Sequence, residues 1–174
     1  MNRVYLSLGS NIDKEKNLPA AVRLLQEQVA VKEASAVFET APVGTDNQPS
    51  FFNTAVLVET NLSPAALKDE VINVIEAALH RRRSEDKNAP RTIDIDIALF
   101  NDDVLDYVPS DRRPRHIPDP DLLTSLHAIA PLADLAPEKR HPETGERLRA
   151  IASKLQQDSA AHAILRRDDF VLSL

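Results

Sequence analysis

Residues 92–100 read Thr-Ile-Asp-Ile-Asp-Ile-Ala-Leu-Phe. Apolar and acidic residues alternate there with a period of two, the period of an extended strand, in which residues i and i+2 share a face. Ile93, Ile95 and Ile97 then project into a core, while Asp94 and Asp96 project together on the other side. The segment therefore demands a sheet with one apolar face and a reason to keep two carboxylates side by side on the other. Adjacent carboxylates repel, and each resists desolvation. A hard divalent cation with oxygen ligands, Mg²⁺ above all, relieves both penalties. The spacing alone leaves a second reading open, a solvated sheet face whose polar residues are aspartates.

The rest of the chain supplies partners for that strand. Val4, Leu6 and Leu8 alternate with Tyr5, Ser7 and Gly9, which predicts a strand over 3–10. Leu18, Val22, Leu25 and Val29 follow helical spacing over 16–29, with Asn11 or Asp13 as cap and Pro19 in the first turn. Strands are predicted over 31–40 and 51–60, separated by a loop rich in Pro, Gly, Asp and Asn. Ser63 as cap and Pro64 at the first helical position start a second helix that runs to the basic cluster His80–Arg83. The order βαββαβ is the split βαβ, or ferredoxin-like, α+β arrangement: an antiparallel sheet with helices on one face. A C-terminal extension follows. Residues 112–123 read as irregular, 122–136 and 146–158 as helical, Gly145 as a turn and 168–174 as a short final strand.

The 174 residues fit one domain spanning 1–174, and a hydrophobic fraction of 43% excludes a disordered chain. A formal net charge of −6 argues against a nucleic-acid partner held by overall charge, although a local basic patch stays possible in principle. No segment has the length and apolarity of a membrane span or a signal peptide, and the lack of cysteine excludes disulfides and thiolate metal sites. The expectation is a monomeric cytoplasmic protein that acts on small molecules. Its three glycines, Gly9, Gly44 and Gly145, cannot build a Walker A loop or a Rossmann turn. A nucleotide bound here must be held by charged side chains and metal.

Two clusters suggest what surrounds the aspartates. His80–Arg83 and Arg91 flank a short loop that keeps the arginines near Asp94 and Asp96. Metal-binding carboxylates beside arginines suit a polyphosphate. The alternative is that basic residues in a last helical turn complement the helix dipole, the reading preferred for Arg82. Phe51 and Asn53 share one face of their strand, opposite Phe52, Thr54, Val56 and Val58. A ring beside an amide suits a flat heterocycle, and ordinary packing is the alternative.

The blocks "YLSLGSN", "FETAPVG", "QPSFFNTAV" and "APRTIDIDIALF", in that order, resemble the 6-hydroxymethyl-7,8-dihydropterin pyrophosphokinases of folate synthesis over roughly residues 3–137. The resemblance implies transfer of pyrophosphate from ATP to the hydroxymethyl group of a reduced pterin, with release of AMP. It implies two Mg²⁺ ions on Asp94 and Asp96, with Arg81 and Arg91 as further catalytic residues. ATP would meet Asn73, Glu76, Arg81, Arg83, Arg91, Ile97 and His116. The pterin would meet Thr40, Pro42, Val43, Phe51, Asn53 and His127. Against the family pattern, Asn88 stands where well-studied members carry Trp, and Phe51 where many carry Tyr. Asp119 replaces a histidine that assists at the phosphates, with His116 nearby as its substitute. His127 stands in place of a second pterin-stacking Phe, and Ser125 in place of a basic residue. Two alternatives are a non-catalytic pterin or nucleotide binder on this fold, and a pyrophosphokinase for a related pterin alcohol.

Overall fold

The computed structural model describes residues 1–42, 47–158 and 164–174. Strand β1 (Asn2–Ser10) leads through helix α1 (Lys14–Gln28) to β2 (Ala30–Ala34), β3 (Val37–Thr40) and β4 (Phe51–Thr60). A continuous helix follows, made of α2 (Pro64–Ala66), a π-helical segment (Leu67–Ile72) and α3 (Asn73–Ala78), and leads to β5 (Asp94–Phe100). The sheet runs β5–β1–β4, and both β2 and β3 pair with the far edge of β4. Every pairing is antiparallel. This is the predicted split βαβ arrangement, with β1 and β4 at its centre.

Alternation decides which side chains go inside. Val4, Leu6 and Leu8 of β1, Phe52, Val56 and Val58 of β4, and Ile93, Ile95 and Ile97 pack on one face. Against them lie Leu18, Val22 and Leu25 of α1 and Leu67, Val71, Ile72 and Ile75 of the second helix. The opposite face also carries helices, where the sequence placed them on one side only. Tyr5, Ala55, Leu57, Ala98 and Leu99 pack beneath Ile129 and Leu132 of α4 (Leu126–Leu135) and Leu148 and Ile151 of α5 (Leu148–Asp158). A register shift between Tyr5 and Leu6 lets Ala98 and Leu99 both join this second layer.

The strand predicted over 31–40 is broken at Ser35 and Ala36. Ser35 N donates to Ala55 O at 2.8 Å. Its hydroxyl accepts from Ala55 N at 2.9 Å, so a side chain takes the part of a ladder carbonyl. Ala36 N donates to the Asp134 carboxylate of α4 at 2.9 Å, which keeps the break satisfied. The last strand lies earlier than predicted: β8 (Ile164–Arg167) extends the sheet beyond β3, while residues 168–174 form a turn and irregular chain. The Phe170 ring after that turn packs tilted against Phe52, with ring centroids 5.0 Å apart. The proline-rich stretch is more ordered than its composition suggested, with β6 (Leu105–Tyr107) and β7 (Arg115–Ile117) forming a hairpin before a 3₁₀ turn, Pro120–Leu123.

Helix ends position the loops around the site. Ser63 Oγ accepts from Ala66 N at 3.2 Å, as its place before Pro64 predicts. Asp13 does not cap with its side chain, and sits instead at φ 45° before α1. The second helix stops at Ala78 rather than running through the basic cluster. His80 takes the left-handed position that usually falls to glycine, with φ 60°, and Arg81 N closes the end on Glu76 O at 2.9 Å. That reversal brings Arg81 back over β5.

Candidate active site

Part of the outer sheet face borders a cavity instead of packing under α4 and α5, and it is polar. The register sets Asp96 opposite Ser7 and Asp94 opposite Gly9, with Asn53 on the far side of Gly9. Gly9 keeps this floor low, since a Cβ there would meet Asn53 Oδ1 at 3.1 Å. Asn53 is oriented by donating Nδ2 to Thr40 Oγ1 at 2.9 Å. Above the floor is a cavity of ≈ 270 Å³ walled by Thr40, Ala41 and Phe51 on one side and Lys87, Asn88 and Arg91 on another. Asp119, Asp121 and His127 close it from the 3₁₀ turn and α4. The Arg91 guanidinium lies over the Phe51 ring at 6.0 Å.

The two strand aspartates differ electrostatically. Asp94 is paired: Arg91 Nη1 donates to Oδ2 at 2.8 Å, and Arg81 Nη2 lies 3.9 Å from Oδ1. No cation pairs with Asp96 within ion-pair distance among the described residues. Burial, reinforced by the negative charge of Asp94, pushes its carboxyl up to about 8, against the pull of Lys68. Burial also raises Asp119 to about 6. It lowers His127, so the imidazole is held neutral.

The oxygen-only donors Asp94 and Asp96 fit a hard cation, which would offset the desolvation that disfavours the ionised form of Asp96. Among the described residues no three carboxylate or imidazole side chains converge on one point. An ion here would complete its shell with water and phosphate oxygens, as Mg²⁺ habitually does.

A second cavity of ≈ 220 Å³ lies between α3 and the chain that follows it, lined by Asn73, Glu76, Ala77, Arg81, Arg83 and Asp111. Three of its side-chain atoms, Asn73 Oδ1, Glu76 Oε2 and Arg81 Nε, are buried without a hydrogen-bond partner. Buried polar groups are normally satisfied, and the nearest cation to Glu76 Oε2, Arg83 Nη2, stands at 3.7 Å, so this cluster has hydrogen-bonding capacity left over. Arg81 joins the cavities, since it lines the second and approaches Asp94 in the first.

The model of the 7,8-dihydro-6-hydroxymethylpterin-pyrophosphokinase (HPPK) family matches residues 5–137. The chain belongs to this family. A Bacillus subtilis relative, named 2-amino-4-hydroxy-6-hydroxymethyldihydropteridine pyrophosphokinase, is 39% identical over 137 residues, covering 77% of this chain and 78% of its own. A Pseudomonas aeruginosa relative of the same name is 33% identical over 148 residues, 82% of this chain and 86% of its own. The wild-type HPPK-DHPS crystal structure from Plasmodium falciparum shares the fold with a TM-score of 0.71 at 16% identity, over 88% of this chain. This chain spans 44% of that longer one. No helix among the described residues is long and apolar enough to cross a membrane.

Within this HPPK fold the predicted site residues fall into groups. Asp94, Asp96, Arg91, Phe51, Asn53, Thr40 and His127 line the first cavity. Asn73, Glu76, Arg81 and Arg83 line the second. Pro42, Ile97 and His116 line neither. Ile97 is buried in the core. His116 meets Asp106 Oδ1 at 2.6 Å and Glu143 Oε1 at 3.0 Å, and both carboxylates raise its pKa. Val43 lies outside the described residues.

Other residues of the site went unread. Asn11, noticed only as a cap candidate, accepts Arg91 N on Oδ1 at 2.8 Å and donates Nδ2 to Gln48 Oε1 at 3.1 Å. It thereby ties the end of β1 to the loops before β4 and β5. Lys68 was missed because it interrupts a stripe of core residues, and that interruption between Leu67 and Val71 was the available signal.

Proposed function

We propose that this chain transfers pyrophosphate from ATP to the hydroxymethyl group of 6-hydroxymethyl-7,8-dihydropterin and releases AMP, the reaction for which its family is named, in folate biosynthesis. The reduced pterin occupies the first cavity. ATP occupies the second and extends its phosphates past Arg81 toward Asp94 and Asp96. The observation that carries this reading is the carboxylate pair on the floor of the first cavity, with Asp94 held by Arg91 and approached by Arg81 from the wall of the second.

Phe51 and the neutral ring of His127 offer flat surfaces to a bicyclic heterocycle, and Asn53, fixed by Thr40, offers an amide to its edge. The hydroxymethyl oxygen forms a bond to the β-phosphorus. The bond from that phosphorus to the oxygen bridging to the α-phosphorus breaks, AMP departs, and the hydroxyl proton is released. Held by Asp94 and Asp96, magnesium, two ions by the family resemblance, would polarise the phosphate oxygens and acidify the hydroxyl. Arg91 and Arg81 neutralise Asp94 before substrate arrives and turn to phosphate oxygens when it does. Arg83 adds a further guanidinium from the rim of the second cavity. Asn73 and Glu76 hold the nucleoside end.

An assay with ATP, Mg²⁺ and 6-hydroxymethyl-7,8-dihydropterin should release AMP in step with loss of the pterin alcohol. Folded protein that binds both substrates yet releases no AMP would refute catalysis and identify a binding protein. Faster turnover of another pterin alcohol would reassign the acceptor.

A further inference from the structure

One buried charge has no part in the reaction as described. Lys68 is 3% exposed, and its ammonium reaches two acceptors, Glu76 Oε1 at 3.2 Å and the Ile95 carbonyl at 3.4 Å. A lysine is rarely buried unless it is paired. The helix is distorted where Lys68 sits: residues 67–72 are π-helical, and Asn73 N donates to Lys68 O. In an α-helix, side chains eight residues apart diverge by about 80°, since each residue turns about 100°. The wider π turns remove much of that offset and align Lys68 with Glu76. Such turns are often found at functional sites.

The pair has a direction. With Oε1 of Glu76 held by Lys68, Oε2 is left buried on the wall of the second cavity, where Arg83 Nη2 approaches it to 3.7 Å without a hydrogen bond forming. Burial drives Glu76 toward its protonated form, and Lys68 is the largest influence the other way. A carboxylate only accepts hydrogen bonds and repels phosphate. It therefore faces donors, hydroxyl or amine groups of a ligand beside the Arg83 guanidinium, while Arg81 reaches toward Asp94 and the phosphates. The same ammonium grips the backbone of β5 at Ile95, between Asp94 and Asp96.

We propose that Lys68 is a positioning residue for the nucleotide: it fixes Glu76 with one oxygen turned inward and the other presented to a donor on the nucleoside. This rests on reading the second cavity as the nucleotide site.

Calorimetric titration of wild type, Lys68→Met, Glu76→Gln and the double variant separates the possibilities. The ligands are a magnesium complex of a non-hydrolysable ATP analogue and, separately, 6-hydroxymethylpterin. Lys68→Met and Glu76→Gln should each weaken nucleotide binding about 10- to 100-fold, the loss typical of one charged hydrogen bond. The double variant should be no weaker than the weaker single one, because the pair acts as a unit. Pterin affinity should stay within about two-fold throughout. A wild type that binds pterin but no nucleotide sinks the reading of the cavity. A wild type that binds nucleotide, with Lys68→Met equal to it, overturns the role of Lys68 alone. If Lys68→Met fails to fold, the double variant decides, since it leaves no unpaired buried charge. A double variant that binds nucleotide as weakly as Glu76→Gln and keeps its pterin affinity supports the proposal, whereas one that binds nucleotide like wild type, far more weakly than Glu76→Gln, or no pterin, overturns it.

Discussion

The two faces of the sheet are made by the same strands and carry opposite loads. On the inner face, alternate residues of β1, β4 and β5 are apolar and sealed under α1 and the second helix. The outer face changes character along its length. Tyr5, Ala55, Leu57, Ala98 and Leu99 lie beneath α4 and α5, whereas Ser7, Gly9, Asn53, Asp94 and Asp96 border the cavity. In β5 the two demands interleave residue by residue, so each site aspartate is flanked in the chain by core isoleucines. The inner face therefore supplies rigidity and the outer face supplies charge. A substitution on one face should leave the other property nearly intact.

The sharpest way to break that division is at Asp96. Asp96→Asn should lower turnover by about 10³-fold or more, since it removes half of the carboxylate pair. The metal-free protein should melt at the same temperature or higher, because a buried aspartate that the fold must hold protonated has gone. Asp94→Ala should lose turnover to a similar degree without that gain. From the sequence, either aspartate should relieve repulsion when removed. The pairing of Asp94 with Arg91 and Arg81 shifts that expectation onto Asp96. Thermal melts in EDTA with parallel AMP-release assays test both; a marked loss of stability in Asp96→Asn would contradict the division between faces.

Ile95→Ala is the counterpart one residue away. It should cost about 2–5 kcal/mol of stability in denaturant melts, as large-to-small core changes do. The folded fraction should keep most of its nucleotide and pterin affinity. Selective loss of activity in a fully stable Ile95→Ala protein would show that the faces are not separable.

The charge itself gives a subtler test. An aspartate in an unfolded chain titrates at about 3.9, whereas Asp96 in the fold is held at about 8. Between those values the folded protein keeps a proton that the unfolded chain has released. The contribution to stability is thus complete below about pH 4 and is lost as pH rises through about 8. Asp119, held at about 6, acts in the same direction over the lower part of that window. Metal-free protein should melt progressively lower from pH 5 to pH 9, and Asp96→Asn should flatten the slope. Magnesium should stabilise wild type more strongly as pH rises, because it competes with the proton.

How much of this was legible in the sequence follows from which signals are local. Period-two and helical spacing act between near neighbours, so the strands and the split βαβ order could be read, and with them the shared face of Asp94 and Asp96. The break at Ser35 depends on a hydroxyl meeting Ala55 across the sheet, and nothing in residues 31–40 announces it. The second layer depends on α4 and α5 finding the outer face. Their periodicity predicted helices but not where they dock. Arg81 was placed near Asp94 from loop length alone, yet its approach rests on His80 turning left-handed, which the residue type does not advertise. Lys68 and Glu76 meet only because the helix widens between them.

The smallest expected effect lies at Gly9, where the outer face is shaped by an absence of side chain. Its neighbours in register are Asp94 on one strand and Asn53 on the other. An alanine Cβ would stand 3.1 Å from Asn53 Oδ1, closer than ordinary contact, so the amide must shift by a few tenths of an ångström. Asn53 is not free to shift without strain, because its Nδ2 is bonded to Thr40 Oγ1 at 2.9 Å. Gly9→Ala should therefore weaken pterin binding by about 3- to 10-fold, the scale of one imperfect hydrogen bond. Nucleotide affinity should not change, because neither Gly9 nor Asn53 borders the second cavity. Stability should move by less than about 1 kcal/mol, since the lower entropy of an unfolded alanine offsets the crowding. Fluorescence titration with the pterin and calorimetry with the nucleotide read the two sites separately. Equal loss at both would mean that the floor of the first cavity is mechanically continuous with the second. No loss at either would remove Asn53 from the pterin's surroundings.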